Sequence, residues 1–325
     1  MNLMLLAAGE GTRLRPYTQT CPKPAMPFLN IPLAAHVLGF VSPLHVTRFV
    51  VNTFYLPQKI HNLFESLPTP VPPKFNDESV LLGSGGGLKS AQKYFDLSEP
   101  IVLMNADEVI LPADLEIISK ALDHHRKTNA LSTLIVMKHP EAGKKFGGVW
   151  TKGNRILGFG KDSIENTDSV WHFIGVQILS PRIFNYLPEG ESNILYDAVV
   201  AGINNNELAE VYPIDCEWFE TGNPQDYMEA QETCLRFLAN EEISYQKKSL
   251  QRSLDLFAAE KQLISTSSDL VLMKSASATI EGHLSGFAVI GAQSVVPKNF
   301  SGKNIVVAAK TKIAEEDSAT DKVYL

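Results

Sequence analysis

Cysteine is scarce in this sequence, with three residues among 325. Cys21, Cys216 and Cys234 form no Cys-x-x-Cys pair, and any disulfide scheme leaves one of them over. A disulfide framework needs an even and denser set, so this usage favours a reducing compartment. The sequence therefore predicts a fold that is stabilised by a buried core, for which its length is sufficient.

Positive charge and long apolar runs are also lacking. There are 29 Lys and Arg residues against 36 Asp and Glu residues, for a net charge of −7, which argues against a general nucleic-acid surface. No apolar run reaches the length that spans a bilayer, and the first residues are typical of a strand, not of a signal peptide. We expect no nucleic-acid partner, no membrane partner and a cytoplasmic location.

A glycine-containing loop with several cations follows the first apolar segment. Residues 3–7 are typical of a buried parallel strand, and glycines in the following turn let backbone N–H groups approach an anion. The side chains of Thr12, Arg13 and Lys23 add a hydroxyl group and positive charge for phosphate oxygens. The loop thus predicts a polyphosphate site, to which we assign Ala7, Ala8, Gly9, Gly11, Thr12, Arg13 and Lys23.

A dinucleotide-binding turn is the alternative for this loop, and two features oppose it. That turn needs a third glycine where Leu14 stands, and an acidic residue at the end of the second strand. The second strand, predicted at residues 48–54, ends without an acidic residue.

The whole opening stretch resembles the signature of the sugar-1-phosphate nucleotidylyltransferases: G-x-G-T-R-L, then a proline and a threonine, then P-K-P. The residues that carry the resemblance are Gly9, Gly11, Thr12, Arg13, Leu14, Pro16, Thr18, Pro22, Lys23 and Pro24. The resemblance extends to about residue 236. It implies an α/β fold with a Rossmann-like, doubly wound mixed sheet, and an enzyme that transfers a nucleoside monophosphate from a nucleoside triphosphate to a sugar-1-phosphate. Arg13 and Lys23 would be its catalytic residues.

A second glycine-rich segment, residues 80–90, has two interpretations. It nearly matches a P-loop ATPase motif, but Leu88 stands where a glycine should precede Lys89. The family instead has a glycine-rich turn beneath the nucleoside, which implies binding roles for Gly83 and Gly86. Glu78 then lies where a base-reading residue is often found, although a solvated loop glutamate is equally compatible with the sequence. Asn105, near the end of a later strand, completes the expected nucleotide-binding set.

Two acidic residues are predicted to hold magnesium. Asp107 follows an apolar strand at residues 101–107, and a carboxylate at the carboxyl end of such a strand lies in the ligand crevice of an α/β sheet. It resembles the family's metal aspartate, which follows an apolar strand in the same way. A helix cap is the alternative for Asp107, although Asp114 is the better cap candidate. The family has a second metal aspartate in a Trp-x-Asp motif, where this sequence has Trp218-Phe219-Glu220. Glu220 keeps the charge but is one methylene longer, and Mg²⁺ tolerates little deviation from octahedral geometry. A salt-bridging role for Glu220 is the alternative.

The chain changes to hairpins after residue 147, with Gly153-Asn154 as a strong turn signal. The family folds this half over the sugar phosphate, which implies binding roles for Gly148, Lys161 and Gly175. A glutamate usually precedes the lysine, and Gly160 stands in its place. An exposed lysine at a strand end is the alternative for Lys161.

The sequence predicts three segments: a catalytic domain at residues 1–238, a helical connector at 239–268 and a small β domain at 269–325. Residues 290–295 fit one turn of a hexapeptide left-handed β-helix, and an ordinary β-sandwich cap is the alternative. Relatives often use such a domain for assembly or regulation, so the resemblance allows a homo-oligomer formed through it.

Two features bear on the identity of the nucleotide, and they favour different donors. The Gly85–Ala91 run and the missing glutamate are most similar to N-acetylmuramate-1-phosphate uridylyltransferases, whereas the extra domain is more similar to mannose-1-phosphate guanylyltransferases. We favour a uridylyl donor. A non-catalytic, nucleotide-binding regulatory subunit on the same fold is the alternative, motivated by Gly160 and Glu220.

Overall fold

The computed structural model describes residues 1–314 and 318–325, which form twenty β-strands and seven α-helices. The strands are β1 (Asn2–Leu6), β2 (Pro27–Phe28), β3 (Ile31–Pro32), β4 (Arg48–Thr53), β5 (Lys74–Asp77), β6 (Ile101–Asn105), β7 (Val109–Pro112), β8 (Ser132–Met137), β9 (Gly148–Lys152), β10 (Arg155–Gly160), β11 (Ser169–Leu179), β12 (Ala209–Pro213), β13 (Cys216–Phe219), β14 (Gln262–Thr266), β15 (Leu270–Ser275), β16 (Thr279–Ile280), β17 (His283–Ile290), β18 (Val295–Val296), β19 (Ser301–Val307) and β20 (Ala319–Tyr324). The helices are α1 (Leu33–Val41), α2 (Pro57–Ser66), α3 (Gly83–Ser90), α4 (Ile117–Thr128), α5 (Val200–Asn204), α6 (Pro224–Ala239) and α7 (Tyr245–Phe257). A π-helical turn, Ile194–Val199, precedes α5.

The chain forms two compact units that do not follow its linear order. The first unit contains Met1–Gly9, Phe40–Ala106 and Asp114–Cys216, and the second contains Glu10–Gly39, Asp107–Ala113 and Glu217–Leu325. The chain therefore passes from one unit to the other directly after Gly9 and again directly after Ala106. The division of the chain into three consecutive segments stays a prediction.

A nine-stranded mixed sheet organises the first unit, in the order β5-β4-β1-β6-β11-β8-β12-β10-β9. Strands β5, β4, β1 and β6 are parallel to one another. Strand β11 runs antiparallel to β6 and β8, and β12 is parallel to β8. The predicted α/β fold with a mixed sheet is confirmed.

Apolar side chains of these strands form the core of the first unit. Met4 of β1, Val50 of β4 and Leu103 of β6 belong to one buried cluster, and burying each such side chain contributes about 1.5–3 kcal/mol. Leu6 is in register with Asn52 and Asn105 of the neighbouring strands. The carboxyl ends of the parallel strands are thus level, which brings the loops after them to one edge of the sheet.

The second unit is built from the loop after β1, the β2–β3 hairpin, helices α6 and α7, and the C-terminal strands. Strands β7 and β13 pair with each other in this unit. The connector is helical in α7 only, because Gln262–Thr266 forms β14 and joins the C-terminal sheet. This differs from the helical connector that the polar composition of residues 239–268 predicts.

The C-terminal sheet has the order β14-β15-β17-β19-β20 and is parallel from β15 onward. Leu270 pairs with Gly286 and His283 pairs with Ser301, so equivalent positions recur after sixteen and eighteen residues. Short strands β16 and β18 are also parallel and in register. These strands enclose a core that contains Leu284, Ile290 and Phe300. The hexapeptide left-handed β-helix stays a prediction.

None of the helices in the two described ranges combines the length and the apolar character that crossing a membrane takes.

Candidate functional site

The signature loop, defined here as residues 10–25, takes its shape from Gly11 and Thr18. Gly11 has a left-handed backbone conformation, with φ of 62°, directly before the 3₁₀ helix Thr12–Leu14. A Cβ atom at Gly11 would lie 3.0 Å from Cγ2 of Thr18, and the Thr18 hydroxyl donates a hydrogen bond to the Gly11 carbonyl at 2.8 Å. Leu14 is fully buried, whereas the Arg13 side chain is 71% exposed. Burial of Leu14 thus anchors this turn while Arg13 stays accessible to a ligand.

Lys23 contacts the first predicted metal ligand. It begins the 3₁₀ helix Lys23–Ala25, directly after Pro22, and its Nζ lies 2.8 Å from Oδ2 of Asp107. The two side chains are only 15% and 23% exposed, so solvent screens this pair less than it screens a surface pair. The structure therefore brings the predicted catalytic lysine to the predicted metal aspartate.

Arg13 contacts the second predicted metal ligand. Its Nη2 lies 3.7 Å from Oε1 of Glu220, whose side chain is 23% exposed. Glu220 follows β13 directly, and the buried Thr221 beside it donates a hydrogen bond to the Asp107 carbonyl at 3.2 Å. Both ion pairs belong to the second unit. We name the residues Arg13, Lys23, Asp107 and Glu220 the charged cluster.

Gly222 leaves room for the Arg13–Glu220 pair. A Cβ atom on Gly222 would overlap Oε1 of Glu220, and it would lie 2.6 Å from Nη2 and 2.9 Å from Cζ of Arg13. Asn223 then caps α6 by accepting a hydrogen bond from the Asp226 N–H, with Pro224 at the first helical position. The cap determines where the helix begins and where the preceding acidic loop ends.

The donor set of the charged cluster fits magnesium. Mg²⁺ is usually held by one or two carboxylates together with water and substrate phosphates, without an all-protein cage. Asp107 and Glu220 supply two carboxylates, and within residues 1–314 and 318–325 no group of three or more His, Cys, Asp and Glu residues is arranged to hold a metal. Two carboxylates are thus the part of such a donor set that the charged cluster itself contains.

Asn52 and Glu78 form a hydrogen-bonded pair at the edge of the first unit's sheet where its parallel strands end. The Asn52 side chain accepts from the Ala7 N–H at 2.9 Å and donates to Oε1 of Glu78 at 2.6 Å. Oε2 of Glu78 accepts from the Leu82 N–H at 3.0 Å. Burial is the largest influence on the half-buried Glu78 and raises its pKa, although both hydrogen bonds oppose that shift. These contacts hold the carboxylate in place, in contrast to a freely solvated loop glutamate.

Sequence reasoning missed Asn52. Its position near the carboxyl end of an apolar strand could have indicated a role, because ligands of an α/β sheet bind at that edge. The other predicted residues at this edge are the buried Ala7 and Ala8, the exposed Gly9, and Asn105 at the end of β6.

The glycine-rich segment is itself helix α3, not a turn before a helix. The Gly85 N–H donates to the Ser192 carbonyl at 2.8 Å, and a Cβ atom on Gly83 would lie 2.6 Å from the same oxygen. A Cβ atom on Gly86 would overlap the Gly190 carbonyl. These glycines therefore allow residues 190–192 to approach the helix backbone, which a sequence alone does not reveal. The absence of a loop before Lys89 also removes support for the P-loop alternative.

Strand pairing gathers the three residues predicted at the sugar phosphate. Gly148 begins β9 and pairs with Gly160 of β10 and with His172 of β11. The exposed Lys161 directly follows β10, and Gly175 lies in the irregular part of β11 with φ of 78°. A Cβ atom on Gly148 would lie 2.5 Å from Cγ2 of Val170, so close packing is one reason for glycine there.

Comparisons with known proteins identify the family. The family model described as nucleotidyl transferase matches residues 2–236. A UTP–glucose-1-phosphate uridylyltransferase of Synechocystis is 29% identical over 244 residues, which are 71% of this chain and 62% of that protein. A mannose-1-phosphate guanyltransferase of Aspergillus oryzae is 28% identical over 241 residues, 72% of this chain and 64% of that protein. The chain thus matches less than two thirds of the length of these curated relatives.

Solved structures show the same fold. An inositol-1-phosphate CTP transferase from T. maritima superposes with a TM-score of 0.61 and 19% identity, covering 79% of this chain and 98% of that one. A UDP-glucose pyrophosphorylase from Acinetobacter baumannii superposes with a TM-score of 0.62 and 16% identity, covering 78% of this chain and 99% of that one. The resemblance noted from the signature is confirmed at the level of family and fold.

Proposed function

Because this chain belongs to the nucleotidyl transferase family, we propose that it is an enzyme that transfers a nucleoside monophosphate from a nucleoside triphosphate to a sugar-1-phosphate. The products are a nucleoside-diphosphate sugar and pyrophosphate. The observation that carries the proposal is the charged cluster, in which Lys23 pairs with Asp107 and Arg13 pairs with Glu220.

The proposed reaction is an in-line displacement at the α-phosphorus. A phosphate oxygen of the sugar-1-phosphate forms the new P–O bond, and the bond to the departing pyrophosphate breaks. The attacking oxygen is already ionised, so no side chain has to remove a proton from it. The protein has to position the two phosphates and neutralise their charge, which are the main requirements of phosphoryl-group chemistry.

The residues of the charged cluster have separate proposed roles. Arg13 and Lys23 hold charge on the α-phosphate and on the departing pyrophosphate, because cationic donors form the strongest hydrogen bonds to phosphate oxygens. Asp107 and Glu220 hold a divalent metal ion, proposed to be magnesium, which when bound supplies further charge neutralisation at phosphate oxygens. Gly9, Gly11 and Thr12 contribute backbone and hydroxyl donors.

The remaining predicted residues are proposed to bind the nucleoside and the sugar phosphate. Glu78, oriented by Asn52, is the proposed contact for the base, together with Gly83, Gly86 and Asn105. Gly148, Lys161 and Gly175 are the proposed sugar-phosphate residues, with Lys161 as the cation.

Uridine triphosphate is the donor that we propose. The resemblance of residues 85–91 supports it, and so does the relative named as a uridylyltransferase. Guanosine triphosphate is the competing donor, because several relatives of similar identity are named mannose-1-phosphate guanyltransferases.

One assay tests the proposal. Pyrophosphate release is measured with Mg²⁺ for ATP, GTP, CTP, UTP and dTTP, each combined with glucose-1-phosphate, mannose-1-phosphate, N-acetylglucosamine-1-phosphate and N-acetylmuramate-1-phosphate. The proposal expects release that requires both substrates and yields a nucleoside-diphosphate sugar by mass spectrometry. Phosphate release without any sugar would instead indicate an ATPase.

A non-catalytic regulatory subunit is the second candidate. The observation that favours it is Glu220, which stands in the place of the family's aspartate and pairs with Arg13. Nucleotide binding by calorimetry without turnover for any substrate pair would support this candidate against an enzyme.

A further inference from the structure

Two side chains on either side of Lys23 contact the C-terminal coil, defined here as the sheet β14–β20. The Tyr17 hydroxyl accepts a hydrogen bond from the Val323 N–H of β20 at 3.3 Å. The Asn30 amide donates to Oε1 of Gln262 in β14 at 2.8 Å and to the Ile290 carbonyl at the end of β17 at 3.0 Å. The coil is therefore bonded to this part of the chain at two separate points.

The Tyr17 contact lies beside the turn that shapes the signature loop. Tyr17 begins the 3₁₀ helix Tyr17–Gln19, so its neighbour is Thr18. Thr18 holds Gly11 through the hydroxyl-to-carbonyl hydrogen bond and packs against the same residue. The position that a Cβ atom would occupy on Gly11 is also 3.5 Å from Cβ of Lys23. A shift of Tyr17 would thus be transmitted to the residues around Arg13 and Lys23.

The Asn30 contact lies at the tip of the hairpin that follows Lys23–Ala25. Leu29 and Asn30 connect β2 and β3 with left-handed backbone conformations, φ of 51° and 66°. Such a two-residue connection makes a tight, well-defined hairpin. The hairpin begins directly after Met26, whose N–H donates to the Lys23 carbonyl at 3.0 Å.

Helix α6 holds the base of the same hairpin. Gln231 is fully buried, donates to the Pro27 carbonyl at 2.8 Å and accepts from the Leu29 N–H at 3.0 Å. The fully buried Tyr227 also donates to the Pro27 carbonyl. Buried hydrogen bonds of this kind are costly to break, because the groups left behind cannot reach water. The hairpin is therefore a stiff link from Asn30 to Lys23.

We propose that Tyr17 and Asn30 are positioning residues through which the C-terminal coil holds the signature loop in the geometry that binds the triphosphate. The proposal rests on the proposed function for its catalytic readout. The coil is then a part of the nucleotide-binding machinery as well as a candidate for assembly. By linkage, a nucleotide that binds the held loop also strengthens the contact between the loop and the coil.

Kinetics provide the first test, with two variants chosen to keep the local backbone. Tyr17→Phe removes only the hydroxyl group. Asn30→Gly removes the side-chain amide, and glycine adopts the left-handed backbone conformation of this position without strain. Tyr17→Phe is expected to raise the KM for the triphosphate or lower kcat by about three- to tenfold, the effect of one net hydrogen bond. Asn30→Gly removes two hydrogen bonds, so its effect should be at least as large. The KM for the sugar phosphate should remain at the wild-type value, and the melting temperature should fall only slightly, because one or two hydrogen bonds are a small part of the total stability.

Matched controls come from the first unit. Tyr186→Phe removes a phenol hydrogen bond to Glu207, also 3.3 Å long. Asn206→Gly replaces another asparagine with a left-handed backbone, φ of 63°. Both controls are expected to retain wild-type kinetic constants.

Hydrogen exchange provides the second test and needs no turnover. Exchange of the amides in residues 318–325 is followed by mass spectrometry with and without UTP and Mg²⁺, and then with GTP. In the wild-type protein a bound nucleotide should slow this exchange, and Tyr17→Phe should abolish the effect. A simple docking contact without a positioning role would leave the exchange independent of nucleotide.

The two tests separate this proposal from the proposed function. If no nucleotide is turned over with any sugar phosphate, the proposed function fails, and the nucleotide-dependent exchange still decides the positioning role. If the wild-type protein is active, but both variants keep its kinetic constants and the exchange ignores nucleotide, the positioning role is overturned.

Discussion

Lys23 and Asp107 are joined by an ion pair in which Nζ lies 2.8 Å from Oδ2. The lysine comes from the signature loop, and the aspartate follows β6 two residues after its end. Each charge is therefore neutralised by the other before a substrate arrives, and both side chains are largely covered by protein. Under the proposed function, a triphosphate with its metal ion would replace this pairing, because it would offer an anion to the lysine and a cation to the aspartate.

Replacement of this lysine tests its proposed role. We expect Lys23→Ala to lower kcat by about a hundredfold or more, the effect of removing one preorganised charge from a phosphoryl-transfer site. The fold should persist, because the Asp107 side chain is 23% exposed, so that solvent reaches its charge. Steady-state pyrophosphate release and far-UV circular dichroism measure the two effects. Lys120→Ala, which breaks an exposed ion pair with Asp114, is the control, and near-normal turnover of Lys23→Ala would refute the role.

A methyl group at Gly222 should disturb the Arg13–Glu220 pair without unfolding the protein. The Cβ atom of Gly222→Ala would meet the ends of two flexible side chains, not backbone. We expect the KM for the triphosphate to rise by about tenfold, the equivalent of one charge-assisted hydrogen bond, with a nearly unchanged melting temperature. The additional change Glu220→Asp shortens the crowded side chain and should restore part of the affinity. An unaltered KM in Gly222→Ala would show that the pair is irrelevant to substrate binding.

Substitutions of Glu220 distinguish a metal ligand from a salt-bridging residue. Glu220→Gln removes the charge and should raise the Mg²⁺ concentration for half-maximal activity by about tenfold or more. Glu220→Asp keeps the charge and introduces the aspartate that the family usually has at this position. This variant should therefore retain a Mg²⁺ dependence close to that of the wild type. Mn²⁺ binding followed by electron paramagnetic resonance gives a second readout that needs no turnover. If the wild type and Glu220→Gln bind the metal with equal affinity, Glu220 is not a metal ligand and its role is limited to the contact with Arg13.

Buried histidines should make the protein less stable in mild acid. Burial lowers the pKa of His36 to about 4, even though its hydrogen bond to the Phe28 carbonyl opposes the shift. Burial also lowers the pKa values of His125 and His172 to about 4. Because the unfolded chain takes up these protons first, stability present above pH 6.5 is lost as the pH falls from 6.5 towards 4. Each histidine should contribute a slope of about 1 kcal/mol per pH unit near pH 5.

Urea unfolding at several pH values between 7.5 and 4.5 measures this slope. His36→Gln keeps a side-chain donor and removes one titrating group, so the slope should decrease by about 1 kcal/mol per pH unit. His283→Gln, in an exposed position at the start of β17, is the control. A slope in His36→Gln identical to that of the wild type would contradict the assignment.

Sequence patterns were sufficient for the elements whose cause is local. Gly153-Asn154 predicts the β9–β10 turn because this dipeptide tolerates the backbone that a tight hairpin needs. The apolar run after residue 100 predicts a buried strand because both of its faces must avoid water. The signature itself identified the family, since its glycines and cations follow one another within a single loop.

Contacts between distant segments could not be predicted from local sequence patterns. Gly83, Gly85, Gly86 and Gly87 looked like a turn, yet they lie in α3, and residues 190–192 approach the backbone of the first three. No local pattern marks Asn52 as the residue that holds Glu78, or Tyr17 and Asn30 as the residues bonded to the last coil.

By itself, the sequence determined the family, several of the strands and the choice of the four charged residues as candidates for the site. Only the tertiary structure decided that Lys23 pairs with Asp107 and Arg13 with Glu220, and that the C-terminal coil is bonded to the loop that carries both cations. The physical reason is that backbone preferences and hydrophobic periodicity act over a few residues, whereas ion pairs and buried hydrogen bonds join whichever segments the folded chain brings together.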